Sequence, residues 1–447
     1  MKTLLIASLL VAMNVWSQDK YFGARSTEAT LKFDASIEVS TGRALNLAML
    51  NGTSAKANEI REEVNYQLEF LIGHFQSESF LNSYKYPGVL GDKHKFKFIS
   101  VEPRQGSRQV LNYRFEGKSV FHTKVFEKSN IVKIPLRLPG NPATFFKKGV
   151  VNGINKCTDE HYNSEGDLFY FWDPDKKGCP LKGNTTDVLR IEGSLQRLEN
   201  TSATYPEYDR LYKSEELNIA VFLGYIDDEP RISGTKDDGY LSYKEISKEL
   251  ENFGYVISEQ KSFKKLNHLT KFEKTFRNQL GTKQKVVISL LLSDSSVGAS
   301  DETFVAYFSE ALKTSQLVAY DGHSGLGGNL EYERFLTAKL PGFYQVFFFN
   351  GCSSYPYFNQ MYFNQKPAGR KNLEIITAGL PTLTSTSTSN MMAFLNPFIQ
   401  GKVHSYQTLM RGLEKSNGEE STYLMGVNGD EDNRFKPEGR QTLLPSL

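Results

Sequence analysis

Long apolar runs are missing from all but the start of this 447-residue chain. No segment after the first residues approaches the ~18 consecutive apolar residues of a spanning helix, so the sequence offers no membrane span once its leader is removed. An excess of one charge is missing too. The 53 Lys and Arg against 51 Asp and Glu leave a net charge of +2, which gives no argument for nucleic acid or for an anionic surface as partner. Cysteine is scarce, with only Cys157, Cys179 and Cys352, so each can be followed individually. Metal sets are missing as well. Cys157, His161 and Cys179 match no closed four-ligand zinc spacing. The acidic turn Lys236-Asp237-Asp238-Gly239 has Gly234 and Lys236 where a calcium loop needs side-chain oxygens. It reads as a turn before a capped helix. No cofactor is called for.

What is present begins with a leader. Lys2 precedes an apolar stretch over 4–15, and Val15-Trp16-Ser17 suits cleavage before Gln18, so residues 1–17 read as a signal peptide and the mature chain as secreted or periplasmic. Export changes the cysteine reading. Cys157 and Cys179 bracket a polar loop and pair best as a disulfide, with zinc the weaker alternative, which leaves Cys352 as the odd thiol. Sequons begin at Asn51, Asn184 and Asn200 and mark surface loops.

Length allows two or three domains. Residues 18–204 read as a β-rich α+β domain: a strand over 29–39, a helix over 58–80, then strands FKFISVE, QVLNYRFEG, SVFHTKVF and IVKIPLRL. Phe169, Tyr170, Phe171 and Trp172 read as a small core that the disulfide pins, with a recognition surface the weaker alternative, and His74 reads as a packing or surface residue and not a ligand. After a linker at 205–216 the texture changes. Over 217–447, strands at 217–223, 255–257 and 286–292 alternate with helices at 243–253, 266–280 and 302–312, and another strand follows at 373–378. That alternation predicts an α/β domain with a mainly parallel sheet covered on both faces. Ser242 with Glu245 reads as a capping box. The acidic run 430–433 reads as a solvated loop.

Two apolar runs stand out within that domain. Leu317-Val318-Ala319-Tyr320 ends in Asp321-Gly322-His323, and Val346-Phe347-Phe348-Phe349 ends in Asn350-Gly351-Cys352. Continuous apolar runs are strands buried on both faces, and in open α/β sheets ligands bind beyond the carboxyl ends of the strands. If the two runs are parallel neighbours, a histidine and a thiol project from one sheet edge, as nucleophilic catalysis needs. Glycine beside each allows a sharp turn and lets a substrate carbonyl approach backbone N–H groups.

The order, histidine first and cysteine 29 positions later, resembles the caspase-like cysteine peptidases, the superfamily of caspases, legumains, clostripains and gingipains. The resemblance spans 217–401, and its two motif blocks carry the specificity. It implies His323 as general base and Cys352 as nucleophile. It further implies an oxyanion hole from the Cys352 N–H and one near Ser324 or Gly325, and a substrate pocket shaped by Thr377, Ala378, Gly379 and Leu380. Ser324 replaces the family's usual glycine, Asn350-Gly351 replaces a commoner alanine, and no acid marks the pocket floor. The implied partner is a protein or peptide substrate, and oligomeric state stays open. Two other classes remain: an exported binding or adhesion protein with an inactive caspase-like domain, and an acyl transferase using the same dyad.

Overall fold

The computed structural model describes residues 25–42, 44–159, 162–184, 186–199, 203–227, 234–263, 267–299, 302–335, 338–417 and 424–437. The leader, His161 and Asn200 lie outside them.

The first unit holds β1 (Ser26–Ser40), α1 (Leu47–Leu50), α2 (Ala55–His74), α3 (Glu78–Tyr84), β2 (Gly88–Pro103), β3 (Arg108–His122), β4 (Ile131–Pro139), α4 (Pro142–Gly149), the small hairpin β5 (Val150–Val151) and β6 (Ile154–Asn155), and β7 (Val188–Arg197). Five strands form an antiparallel sheet in the order β2-β3-β1-β7-β4. In β1, Leu31, Phe33, Ala35 and Ile37 point into the core, and Lys32 and Asp34 point out, the period-two alternation of a half-solvated sheet. The buried face packs on Ile60, Val64, Leu68 and Leu71 of α2. Cys157 and Cys179 are bridged, and their loop closes a second small core of Phe70, Phe145, Leu168, Phe169, Tyr170 and Trp172.

Several boundaries differ from the sequence expectation. The helix expected over 58–80 breaks after His74, and Ser77 caps a second helix by accepting the Phe80 N–H. SVFHTKVF makes no strand of its own: it ends β3 and turns into a 3-10 segment at Thr123–Phe126. Buried His74 meets the Pro135 carbonyl at 3.1 Å, a packing role.

Residues 205–216, expected as a linker, carry α5 (Tyr208–Leu211), whose Tyr208 and Leu211 are buried in the second unit's core. That unit continues with β8 (Glu216–Gly224), α6 (Asp238–Asn252), β9 (Val256–Ser262), β10 (His268–Arg277), β11 (Lys283–Ser293), α7 (Glu302–Thr314), β12 (Leu317–Asp321), β13 (Gln345–Asn350), α8 (Tyr355–Gln365), β14 (Leu373–Thr377), α9 (Ser387–Ile399), α10 (Tyr406–Ser416) and β15 (Gly426–Asn428). Its sheet runs β15-β14-β13-β12-β8-β11-β10-β9. The five strands from β14 to β11 are parallel, with antiparallel β15 on one edge and β10 and β9 on the other. Alternate residues fill two cores. Leu317, Ala319, Val346 and Phe348 face α6, α9 and α10; Val318, Tyr320, Phe347 and Phe349 face α7 and α8.

Three expectations are corrected here. The stretch 266–280, read as a helix, contains strand β10, which pairs with both β9 and β11. A register shift between Lys271 and Phe272 breaks its alternation and leaves Leu269 and Phe272 at a helix-like spacing. The cap of α6 is buried Asp237, while Ser242 lies inside the helix. Asp430 is fully buried and accepts from the Thr204 hydroxyl, so 430–433 is not simply a solvated loop.

The two units share a polar and apolar seam. Ser26 Oγ donates to the Met425 carbonyl at 2.8 Å, Gln360 N–H donates to Asp92, and Val89 and Val120 pack with Tyr355, Leu380 and Leu424.

Candidate active site

Strands β12 and β13 are parallel neighbours in register, Asp321 opposite Asn350. His323 and Cys352 each lie two residues beyond that matched pair, at the carboxyl edge of strands about 4.8 Å apart. Their turns touch through the backbone: a Cβ built on Gly351 would lie 3.2 Å from the Gly322 carbonyl oxygen. At Gly322 itself, φ is +155° and a Cβ would lie 2.8 Å from the Tyr320 hydroxyl, so only glycine fits.

The histidine turn is fastened from below. Tyr320 Oη donates to the His323 carbonyl at 2.6 Å, and Asn329 Nδ2 donates to the same oxygen at 2.8 Å. The exposed ring meets the Ile226 carbonyl through Nε2 at 2.8 Å. A carbonyl only accepts, so Nε2 carries the proton, and in the neutral ring Nδ1 keeps its lone pair. Ile226 follows β8, beside which the chain reverses its order across the sheet, the switch point where α/β sheets bind ligands. Asp237 fixes that loop. Its carboxylate accepts from the N–H groups of Ile226, Asp227, Gly239 and Tyr240, joining the α6 cap to the carbonyl that orients His323.

Cys352 is half-buried and unpaired with any other cysteine. Its Sγ lies 3.7 Å from the Thr382 carbonyl and 3.9 Å from Thr382 Oγ1. Among the described residues the N–H groups of Cys352, Ser324 and Gly325 make no hydrogen bond, which leaves them able to meet an incoming oxygen. Ser324 is buried and its carbonyl accepts from Gly327 and Asn329, while Gly325 takes φ +57° against the Asn329 amide.

Beneath the two turns lies a polar chain that the sequence did not announce. Asn350 Nδ2 donates to Asp321, and Asn390 Nδ2 donates to Asn350 Oδ1 at 3.4 Å. Burial pushes the Asp321 carboxyl up to about 6, opposed by hydrogen bonds from Ser387 and Asn350. The available signal was one polar residue closing each apolar run at the same place.

The residues expected to shape a pocket are packed away. Thr377 and Ala378 are buried at the end of β14, Gly379 abuts Val89, and Leu380 lies in the seam between units. It is Thr382, two residues on, that reaches Cys352. A bridged sulfur has no thiolate to offer a metal, and no group of three or more potential ligands occurs among the described residues. A hollow of about 570 Å³ on the outer face of the first sheet is bordered by Asp34 and Arg190, already paired with Arg114 and Asp175.

Compared with protein-family models and with curated proteins, the chain matches none. No helix among the described residues is long and apolar enough to cross a membrane.

Proposed function

We propose that the chain is an exported cysteine endopeptidase with a caspase-like second domain. The observation that carries the proposal is the register of β12 and β13, which sets His323 and Cys352 at equivalent places on adjacent strand ends. In the proposed reaction His323 Nδ1 takes the thiol proton as Cys352 Sγ bonds to a peptide carbonyl carbon. The oxyanion is met by the Cys352 N–H and by that of Ser324 or Gly325. His323 returns the proton to the leaving amine as the C–N bond breaks, giving a thioester that water then hydrolyses. The Ile226 carbonyl stabilises the ring when it is charged. Export rests on the leader sequence and fits the Cys157–Cys179 bridge, which persists in oxidising compartments.

The test is hydrolysis of a mixed peptide library by the processed chain. Cys352→Ala and His323→Ala should each abolish it with the fold intact, and the double variant should be little worse than either single one. Undiminished cleavage after Cys352→Ala would refute the proposal. A Cys352 that no alkylating agent reaches would favour the inactive, binding alternative.

A further inference from the structure

The residue after the nucleophile is held in an unusual state. Ser353 is fully buried with φ +50°, the left-handed region that side chains other than glycine rarely adopt. Its N–H donates to the Leu380 carbonyl at 3.1 Å. Next to it, Ser354 Oγ donates to the Phe349 carbonyl and accepts from the Ala378 N–H. These ties come from the second unit. The bond to the Ser353 side chain comes from elsewhere: the hydroxyl of Tyr170, 3.0 Å from Ser353 Oγ and 183 residues away in sequence.

Tyr170 lies in the disulfide-closed segment of the first unit. Its ring is buried in the core of Phe70, Phe145 and Trp172, and Tyr162 and Phe171 lie against it at centroid distances of 5.1 and 5.0 Å. The same core receives Leu326 from the histidine turn and Tyr357 from α8. One segment of the first unit thus meets both turns of the site. Tyr162 and Tyr170 also lie close enough to Cys352 to interact with it electrostatically, while the sulfur's hydrogen-bonding neighbours are on Thr382.

We infer that Tyr170 is a positioning residue for the dyad, holding Ser353 in its left-handed turn so that the Cys352 sulfur and N–H keep their aim. The first unit is then a working part of the site. The inference rests on the peptidase proposal for its kinetic arm and on the turn geometry for its chemical arm. Removing the hydroxyl leaves Ser353 Oγ buried without that partner. The turn can then relax, and small misplacements of reacting groups cost large factors in rate.

Tyr170→Phe keeps the ring and its packing. In the full processed chain it should lower kcat roughly tenfold while KM stays within about twofold. The rate constant for iodoacetamide alkylation of Cys352 should fall by a similar factor. Glycine holds a positive φ unaided, so Ser353→Gly added to Tyr170→Phe should restore both rates to within about threefold of the parent. If the parent alkylates at Cys352 but cleaves no peptide, the peptidase proposal fails, and the alkylation arm still decides this one. Parent-like kcat and alkylation in Tyr170→Phe would overturn it. So would a loss that tracks a lowered melting temperature and is not rescued by Ser353→Gly, since that is the mark of a merely structural role.

Discussion

The two sheets solve the same problem differently. The first shows one face to water, where Asp34 pairs with Arg114, Lys32 with Glu116 and Lys133 with Glu192 across neighbouring strands. The second is covered on both faces, and its neighbouring strands β12 and β13 carry unbroken apolar runs, Leu317 to Tyr320 and Val346 to Phe349, that end in Asp321 and Asn350. A sheet with a wet face can place polar groups anywhere along its strands. A sheet with none has its turns as the place for chemistry, and there Asp321, His323, Asn350 and Cys352 accumulate. The first unit contributes where it overhangs those turns, through Tyr170.

The widest gap between the sheets should appear on truncation. Phe348 is fully buried and stacks on Phe394 at 4.8 Å. Phe348→Ala should cost about 3–5 kcal/mol in urea unfolding. Next comes the bridge across 22 positions. Replacing Cys157 and Cys179 by serine should cost the first unit roughly 3 kcal/mol in the chain-entropy view, and should slow Cys352 alkylation as Tyr170→Phe does.

Two buried groups, one in each unit, should answer pH in opposite directions. Burial lowers His74 to about 4 from an ordinary 6.5, with the Pro135 carbonyl opposing it. Between those values the unfolded chain takes up a proton that the folded one refuses, so stability falls as pH drops from about 6.5 to about 4. Burial first, then Glu431, raises Asp430 to about 7 from 3.8. Its contribution is full below about 4 and is lost as pH rises through about 7. Over the shared range from about pH 4 to 6.5, His74→Gln should remove a rise of melting temperature with pH, and Asp430→Asn should remove a fall. If both variants change the slope in the same sense, this contrast between the two groups is mistaken. The smallest effect belongs to the wet face: Lys133→Ala should leave the melting curve unmoved, because exposed pairs contribute little.

Much of the second sheet was legible because β12 and β13 are unbroken apolar runs with glycine after them. The β10 stretch was not, since a bulge disguises its period. Asp237 was visible as an acid before a helix, but nothing in its neighbours says that it also holds the peptide of Ile226. The Ile226 carbonyl itself leaves no trace in sequence, because every residue has one. Nor does the Tyr170–Ser353 bond, which depends on how two units meet. For the 377–380 stretch the pocket role came from the resemblance alone, and sequence does not say that Ala378 lies in the second unit's core or that Leu380 packs on Val89 and Val120 of the first.

The most direct measurement is covalent capture. A peptide library carrying a carbonyl electrophile with a good leaving group should add to the folded chain at one position. Intact-mass and peptide mapping should place the adduct on Cys352, His323→Ala should slow its formation at least about a hundredfold, and prior iodoacetamide should block it. Labelling that is absent, that falls on another residue, or that proceeds equally fast without His323 would contradict the dyad.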